Sequence, residues 1–96
     1  MVLETRDAER VAEIMAGLAT AARVMILSRL MDSPATVTEL IDSLNMSQTS
    51  VSNHLRVLRH LDMVTGERQG RNVVYRLHDD HVRSMVEQIL KHTRHV

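Results

Sequence analysis

TVTELIDSLNMSQTSVSNHLRVLRH, Thr36–His60, holds two amphipathic segments separated by a polar break of about three residues. Thr36 followed by Glu39 has the S/T-x-x-E spacing in which each side chain satisfies the other residue's backbone N–H at the start of a helix. Leu40, Ile41 and Leu44 then recur on one helical face. Asn45-Met46-Ser47 ends that short helix, and Ser47 is suited to cap a second one whose apolar face is Val51, Leu55, Leu58 and Leu61. Two helices so joined, over about 36–62, form a helix-turn-helix when the outer side of the second is polar and basic. That outer side carries Gln48, Thr49, Ser52, Asn53 and Arg56. The amides can pair two ways with adenine, the guanidinium with guanine, and the hydroxyls with bases or phosphate. A solvated helix face would have the same amphipathic pattern, so the next segment carries weight.

That segment is MVTGERQGRNVVYRL, 63–77. Val73, Tyr75 and Leu77 alternate as a half-buried strand does, Met63 and Val64 begin a shorter partner, and Gly66 and Gly70 lie between. Arg68, Gln69, Arg71 and Asn72 cluster about the tip of the resulting hairpin. A hairpin that only covers the core accounts for the alternation but not for the clustered arginines. Placed directly after a helix-turn-helix, it reads as a wing lying along phosphates or probing the minor groove.

Working outward, Val11, Ile14, Met15 and Leu18 share one face of an N-terminal helix, and Thr20 caps a second helix that runs to Ser33-Pro34. The fold class expected is mainly α with a β-hairpin wing, as a single winged-helix domain over 1–96. Formal charge is zero, yet it is unevenly placed. Residues 1–44 carry four arginines against seven carboxylates, and residues 45–78 carry five arginines against two, so an anionic partner belongs on the second stretch. Tyr75 is the single aromatic apart from histidine, which disfavours a stacking platform for unpaired bases and leaves double-stranded DNA as the expected nucleic acid. Cysteine is absent, removing disulfides and thiolate metal sites together. The chain has no membrane-length apolar run and no secretion signal at MVLETRDAER, so a cytoplasmic protein without a membrane partner is expected. No nucleophile and base at useful spacing and no phosphate-binding glycine loop are visible, so neither an enzyme nor a small-molecule substrate is expected. The seven methionines are read as core fillers.

The strings LATAARVMILSRLM (18–31), MSQTSVSNHLRVLRHLDMV (46–64) and RQGRNVVYRLHDDHV (68–82) resemble the ArsR/SmtB family of metal-sensing winged-helix repressors, and the likeness covers nearly the whole chain. The resemblance implies a homodimer, joined through the first and last helices, that holds operator DNA while metal-free and releases it when metal binds. The family's cysteine-containing site on the third helix is missing, since TVTELIDSLN stands there.

The last segment, DDHVRSMVEQILKHTRH over 79–95, then takes on meaning. On one helix His81 and His92 stand about 16 Å apart along the axis, too far to share an ion with bonds of about 2 Å. Two copies packed antiparallel bring Asp79 to His95 of the other copy and His81 to its His92, because the two pairs of residue numbers add to nearly the same total. The twofold axis falls beside Val86 and Glu87, and the stripe of Val82, Met85, Val86, Ile89 and Leu90 straddles it. The expected metal set is Asp79 and His81 of one subunit with His92 and His95 of the other, matching the D-x-H and H-x-x-H of the zinc and cobalt sensors in the resembling family. Four nitrogen and oxygen ligands favour tetrahedral Zn(II), with Co(II) as the competing ion. Nickel sensors in that family draw on further ligands, partly an N-terminal histidine, and MVLETRD offers none. Taken singly, Asp79 or Asp80 can be a helix cap, and KHTRHV a basic helix end. His78 lies outside the pairing, and His54 and His60 are assigned to packing or DNA contact. A DNA-binding regulator without metal control and a winged-helix protein-interaction module are the alternatives.

Overall fold

The computed structural model describes residues 1–94. In chain order the elements are α1 (Thr5–Leu18), α2 (Ala21–Asp32), β1 (Ala35–Thr36), α3 (Val37–Leu44), α4 (Gln48–His60), β2 (Val64–Gln69), β3 (Asn72–Leu77) and α5 (Asp80–Arg94). Each expected cap is present. Thr20 Oγ1 accepts from the Arg23 N–H at 3.2 Å, and Ser47 Oγ accepts from the Ser50 N–H at 3.1 Å. The capping box closes both ways: the Thr36 N–H donates to Glu39 Oε1 at 3.0 Å and the Glu39 N–H to Thr36 Oγ1 at 3.2 Å. These bonds satisfy amides that have no intrahelical partner. The backbone and then the hydroxyl of Thr36, aided by Arg29, hold the Glu39 carboxyl below the usual carboxylate range against a small opposing effect of burial.

The turn of the helix-turn-helix is made by Asn45 in the left-handed region, φ 54°, its N–H returning to the Ile41 carbonyl at 2.9 Å. The far end of α4 is a Schellman motif: Met63 N–H donates to the Leu58 carbonyl at 2.9 Å and Asp62 N–H to the Arg59 carbonyl at 3.0 Å, with Asp62 left-handed at φ 58°. The chain is thereby turned straight into β2.

The sheet has three antiparallel strands in the order β1-β3-β2. The β2–β3 hairpin was expected; β1 was not. It is two residues long, with Ala35 opposite Tyr75 and Thr36 opposite Val74, and it ties the start of α3 to the base of the wing. The tip is the two-residue turn Gly70-Arg71 between the paired Gln69 and Asn72. Gly70 is left-handed there, φ 64°, as the first central position of a primed hairpin turn requires.

One core joins all but the first helix. Val51, Leu55, Leu58 and Leu61 are buried as expected, packed with Ile26, Leu27 and Leu30 of α2, Leu40 of α3, and Val64 and Leu77 of the sheet. Helix α1 has no buried residue. Its Val11 and Met15 stay exposed, while Ile14 and Leu18 lean on the core. The methionines meet the expectation in part: Met63 is buried, Met31, Met46 and Met85 pack against the core, and Met1, Met15 and Met25 are well exposed. On the outer helices Met15 and Met25 therefore fill no core space in the protomer.

Candidate DNA interface and metal-ligand cluster

The exposed side of α4 carries Gln48, Thr49, Ser52, Asn53 and Arg56, all solvent-facing, while the opposite side is fastened into the core. Arg56 Nη2 donates to Asn53 Oδ1 at 3.2 Å, so these two side chains are held together one turn apart. Arg68, Gln69, Arg71 and Asn72 are exposed about the hairpin tip. On the hairpin Arg76 pairs with Glu67 at 3.7 Å, which neutralises one of the basic charges counted in the sequence. Helix α4 and the wing thus present two separate sets of donors on one molecule, one suited to base edges and one to phosphates.

His54, assigned to packing or DNA contact, has a structural job. Arg23 Nε donates to His54 Nδ1 at 3.2 Å, and Arg23 Nη1 donates to the Gly17 carbonyl at 2.7 Å. One guanidinium therefore binds α2, the end of α1 and the middle of α4 together. Gly17 permits α1 to pack closely on the end of α4, since a Cβ there would overlap Leu61 Cδ1. Sequence spacing gave no sign of this joint, because its members are separated by 31 residues.

At the other end of the molecule, Asp79 stands just before α5. Its Oδ1 accepts the Val82 N–H at 3.0 Å and lies 2.8 Å from His81 Nδ1. The Val82 N–H first, then the potential of His81 and His78, keep the Asp79 carboxyl below the usual carboxylate range, with desolvation opposing. The cap reading of Asp79 and its convergence with His81 thus hold together. His78, set aside in the pairing, lies with Nε2 3.9 Å from Asp79 Oδ2; the sharp turn from β3 into α5 brings it there. His92 is exposed near the other end of α5, and His95 lies outside the described residues. Among the described residues, no group of three histidine, aspartate or glutamate side chains in one protomer is arranged to hold an ion.

The α5 stripe divides in a way the pairing did not foresee. Val82 and Val86 are buried in their own protomer, 1% and 6% exposed, so the surface they offer to a second helix is small. Ile89 is exposed, and Met85 and Leu90 are half-buried beside it. They border an apolar groove with Leu18, Val24 and Leu27. A second guanidinium braces this helix, Arg83 Nη1 donating to the Met31 carbonyl at 2.7 Å, where α2 has run out of intrahelical donors.

A helix-turn-helix followed by an arginine-bearing hairpin, on a core that leaves both free, defines a winged-helix DNA-binding regulator. Comparison with known proteins is specific. The model of the bacterial regulatory proteins of the arsR family matches residues 20–65. The transcriptional regulator NmtR of Mycobacterium tuberculosis is 42% identical over 94 residues, 98% of this chain and 78% of its own length. The solution structure of apo-NmtR agrees with a TM-score of 0.82 at 41% identity, covering all of this chain and 81% of that one. The transcriptional repressor SmtB of the same species is 41% identical over 80 residues, 83% of this chain and 59% of its own. A homologue of the cadmium resistance regulatory protein CadC from Staphylococcus aureus is 31% identical over 87 residues, 90% of this chain and 72% of its own. The chain belongs to the ArsR family. It is a transcriptional regulator and not an enzyme.

Proposed function

We propose that the chain is a metal-responsive repressor, a homodimer that holds operator DNA while metal-free and releases it when Zn(II), or Co(II), occupies a site shared between subunits. The observation that carries this reading is the Asp79–His81 pair, a carboxylate oxygen and an imidazole nitrogen 2.8 Å apart on an exposed helix start. Two such donors suit an ion bound through oxygen and nitrogen at about 2 Å, and they fall short of a complete set. The remaining ligands in this proposal are His92 and His95 of the other subunit. The similarity to a cadmium resistance regulator supports a metal as the effector.

Bound there, zinc supplies a cross-link between two chains. The protein's own residues do the rest. Gln48, Thr49, Ser52, Asn53 and Arg56 read bases while Arg68, Gln69, Arg71 and Asn72 hold the backbone, and two copies must meet half-sites about one duplex turn apart. A ligand set drawn from both subunits favours one relative orientation, and DNA affinity falls if that orientation mismatches the half-site spacing. Arg83 fixes α5 to the end of α2, so a shift of α5 reaches the helix-turn-helix through packed structure.

Titrating Zn(II) into the protein bound to a duplex from its own promoter region is the test, followed by fluorescence anisotropy. Release on metal addition is expected, and undiminished affinity rejects metal control. His81→Ala should keep DNA binding and lose the response; Arg56→Ala should lose DNA binding and keep metal uptake. A second reading, regulation without metal, is favoured by one observation: Asp79 Oδ1 already has a structural role as the cap of α5. Promoter occupancy insensitive to both zinc and chelator would select it.

A further inference from the structure

Between α4 and the hairpin lies a cleft of about 500 Å³ lined by Ser52, Arg56, Arg59, His60 and Tyr75. Ser52, Arg56, Arg59 and His60 follow the i, i+4, i+7, i+8 spacing of a single helical stripe, and Tyr75 faces them from the central strand. The ring is held there by an absence: Gly66 is the direct cross-strand partner of Tyr75, and a Cβ on it would come within 2.9 Å of Tyr75 Cε1. Tyr75 is half-buried and borders the open cleft.

The charges in this cleft are unequal. Arg76, which follows Tyr75 on β3 and does not line the cleft, is paired with Glu67; of the two arginines that do line it, Arg56 is tied to Asn53, toward the base-reading half of α4. Among the described residues no carboxylate lies within ion-pair distance of Arg59, which is exposed in the last turn. A recognition helix enters the groove N-terminus first, so its last turn lies beside the strand backbone. An anion at that end meets the negative pole of the helix dipole, and a cationic side chain is needed there to reverse the field.

We propose that this cleft clamps one backbone phosphate of duplex DNA, with Arg59 as its charge and the Tyr75 hydroxyl as a second donor. The proposal rests on the reading of the chain as a DNA-binding regulator, and it adds two contact residues outside the base-reading set. Such a contact fixes register without carrying sequence information.

Anisotropy titrations with a promoter duplex and a scrambled duplex, between about 50 and 200 mM salt, test it. Arg59→Ala should weaken both duplexes by a similar factor and reduce the slope of log affinity against log salt by about 0.9 per subunit. Tyr75→Phe should weaken both by about two- to tenfold, as loss of one hydrogen bond does, with the slope intact. A scan of single neutral methylphosphonates along the operator should find a position where the wild type loses affinity and Arg59→Ala loses none. Unchanged slope and additive losses at every position overturn the clamp, and leave Arg59 as a helix-end cation whose removal lowers only the melting temperature. Inorganic phosphate that binds the wild type and not Arg59→Ala, while duplex affinity and salt slope are the same in both, assigns the cleft to a free anion instead. A wild type that binds no duplex rejects the DNA-binding reading itself.

Discussion

Asp62 is where a single residue works against its own backbone. It occupies the left-handed C′ position of the α4 Schellman motif at φ 58°, a conformation that glycine adopts without the steric penalty of a Cβ. Asp62→Gly should therefore stabilise the fold by about 1 kcal/mol, raising the melting temperature by about 4–8 °C in a domain of this size; an unchanged or lower midpoint in a thermal melt refutes it. HLDMV contains no glycine, so the helix end near 62 was legible in the sequence but its left-handed conformation was not. The side chains proposed to read bases were easier to place, since the spacing of Val51, Leu55 and Leu58 fixes which side of α4 is free. His78 was harder: its approach to Asp79 depends on a chain reversal that no periodicity encodes.

Helix starts were the most legible elements, because a cap depends only on residues three or four apart. The capping box of α3 also titrates. With its carboxyl held below the usual range, Glu39 adds stability that is fully present above the ordinary carboxylate pKa and disappears as pH falls through the depressed one. Glutamine keeps the reciprocal hydrogen bond but has no proton to gain. The stability difference between the wild type and Glu39→Gln, measured by urea unfolding, should be constant from neutral pH down to the carboxylate range and shift against the wild type below it. A difference that is flat throughout contradicts the role given to Glu39. Strand β1 shows the opposite case. Two residues cannot display a period of two, and their partners on β3 are about 40 positions away, so only the folded chain reveals the pairing.

Across the whole molecule, apart from Met1, Val2 and Leu3 ahead of α1, the exposed large apolar side chains lie on the outer helices: Val11 and Met15 of α1, Val24 and Met25 of α2, and Ile89 of α5. A dimer through the first and last helices would cover them. Met15→Glu should yield a monomer by sedimentation velocity with much weaker promoter binding, while far-ultraviolet circular dichroism stays native; a dimer that persists excludes this surface. The α5 stripe shows what a single sequence hides. Val82, Met85, Val86, Ile89 and Leu90 have one helical spacing, yet two of the five turn into their own core, because periodicity reveals an apolar face without naming the neighbour that covers it. Finally, the chain contains one tyrosine and neither tryptophan nor phenylalanine, and that tyrosine lines the cleft between α4 and the wing. Its ultraviolet emission thus originates from a single spot on the molecule, making the unlabelled protein its own optical reporter for occupation of that spot.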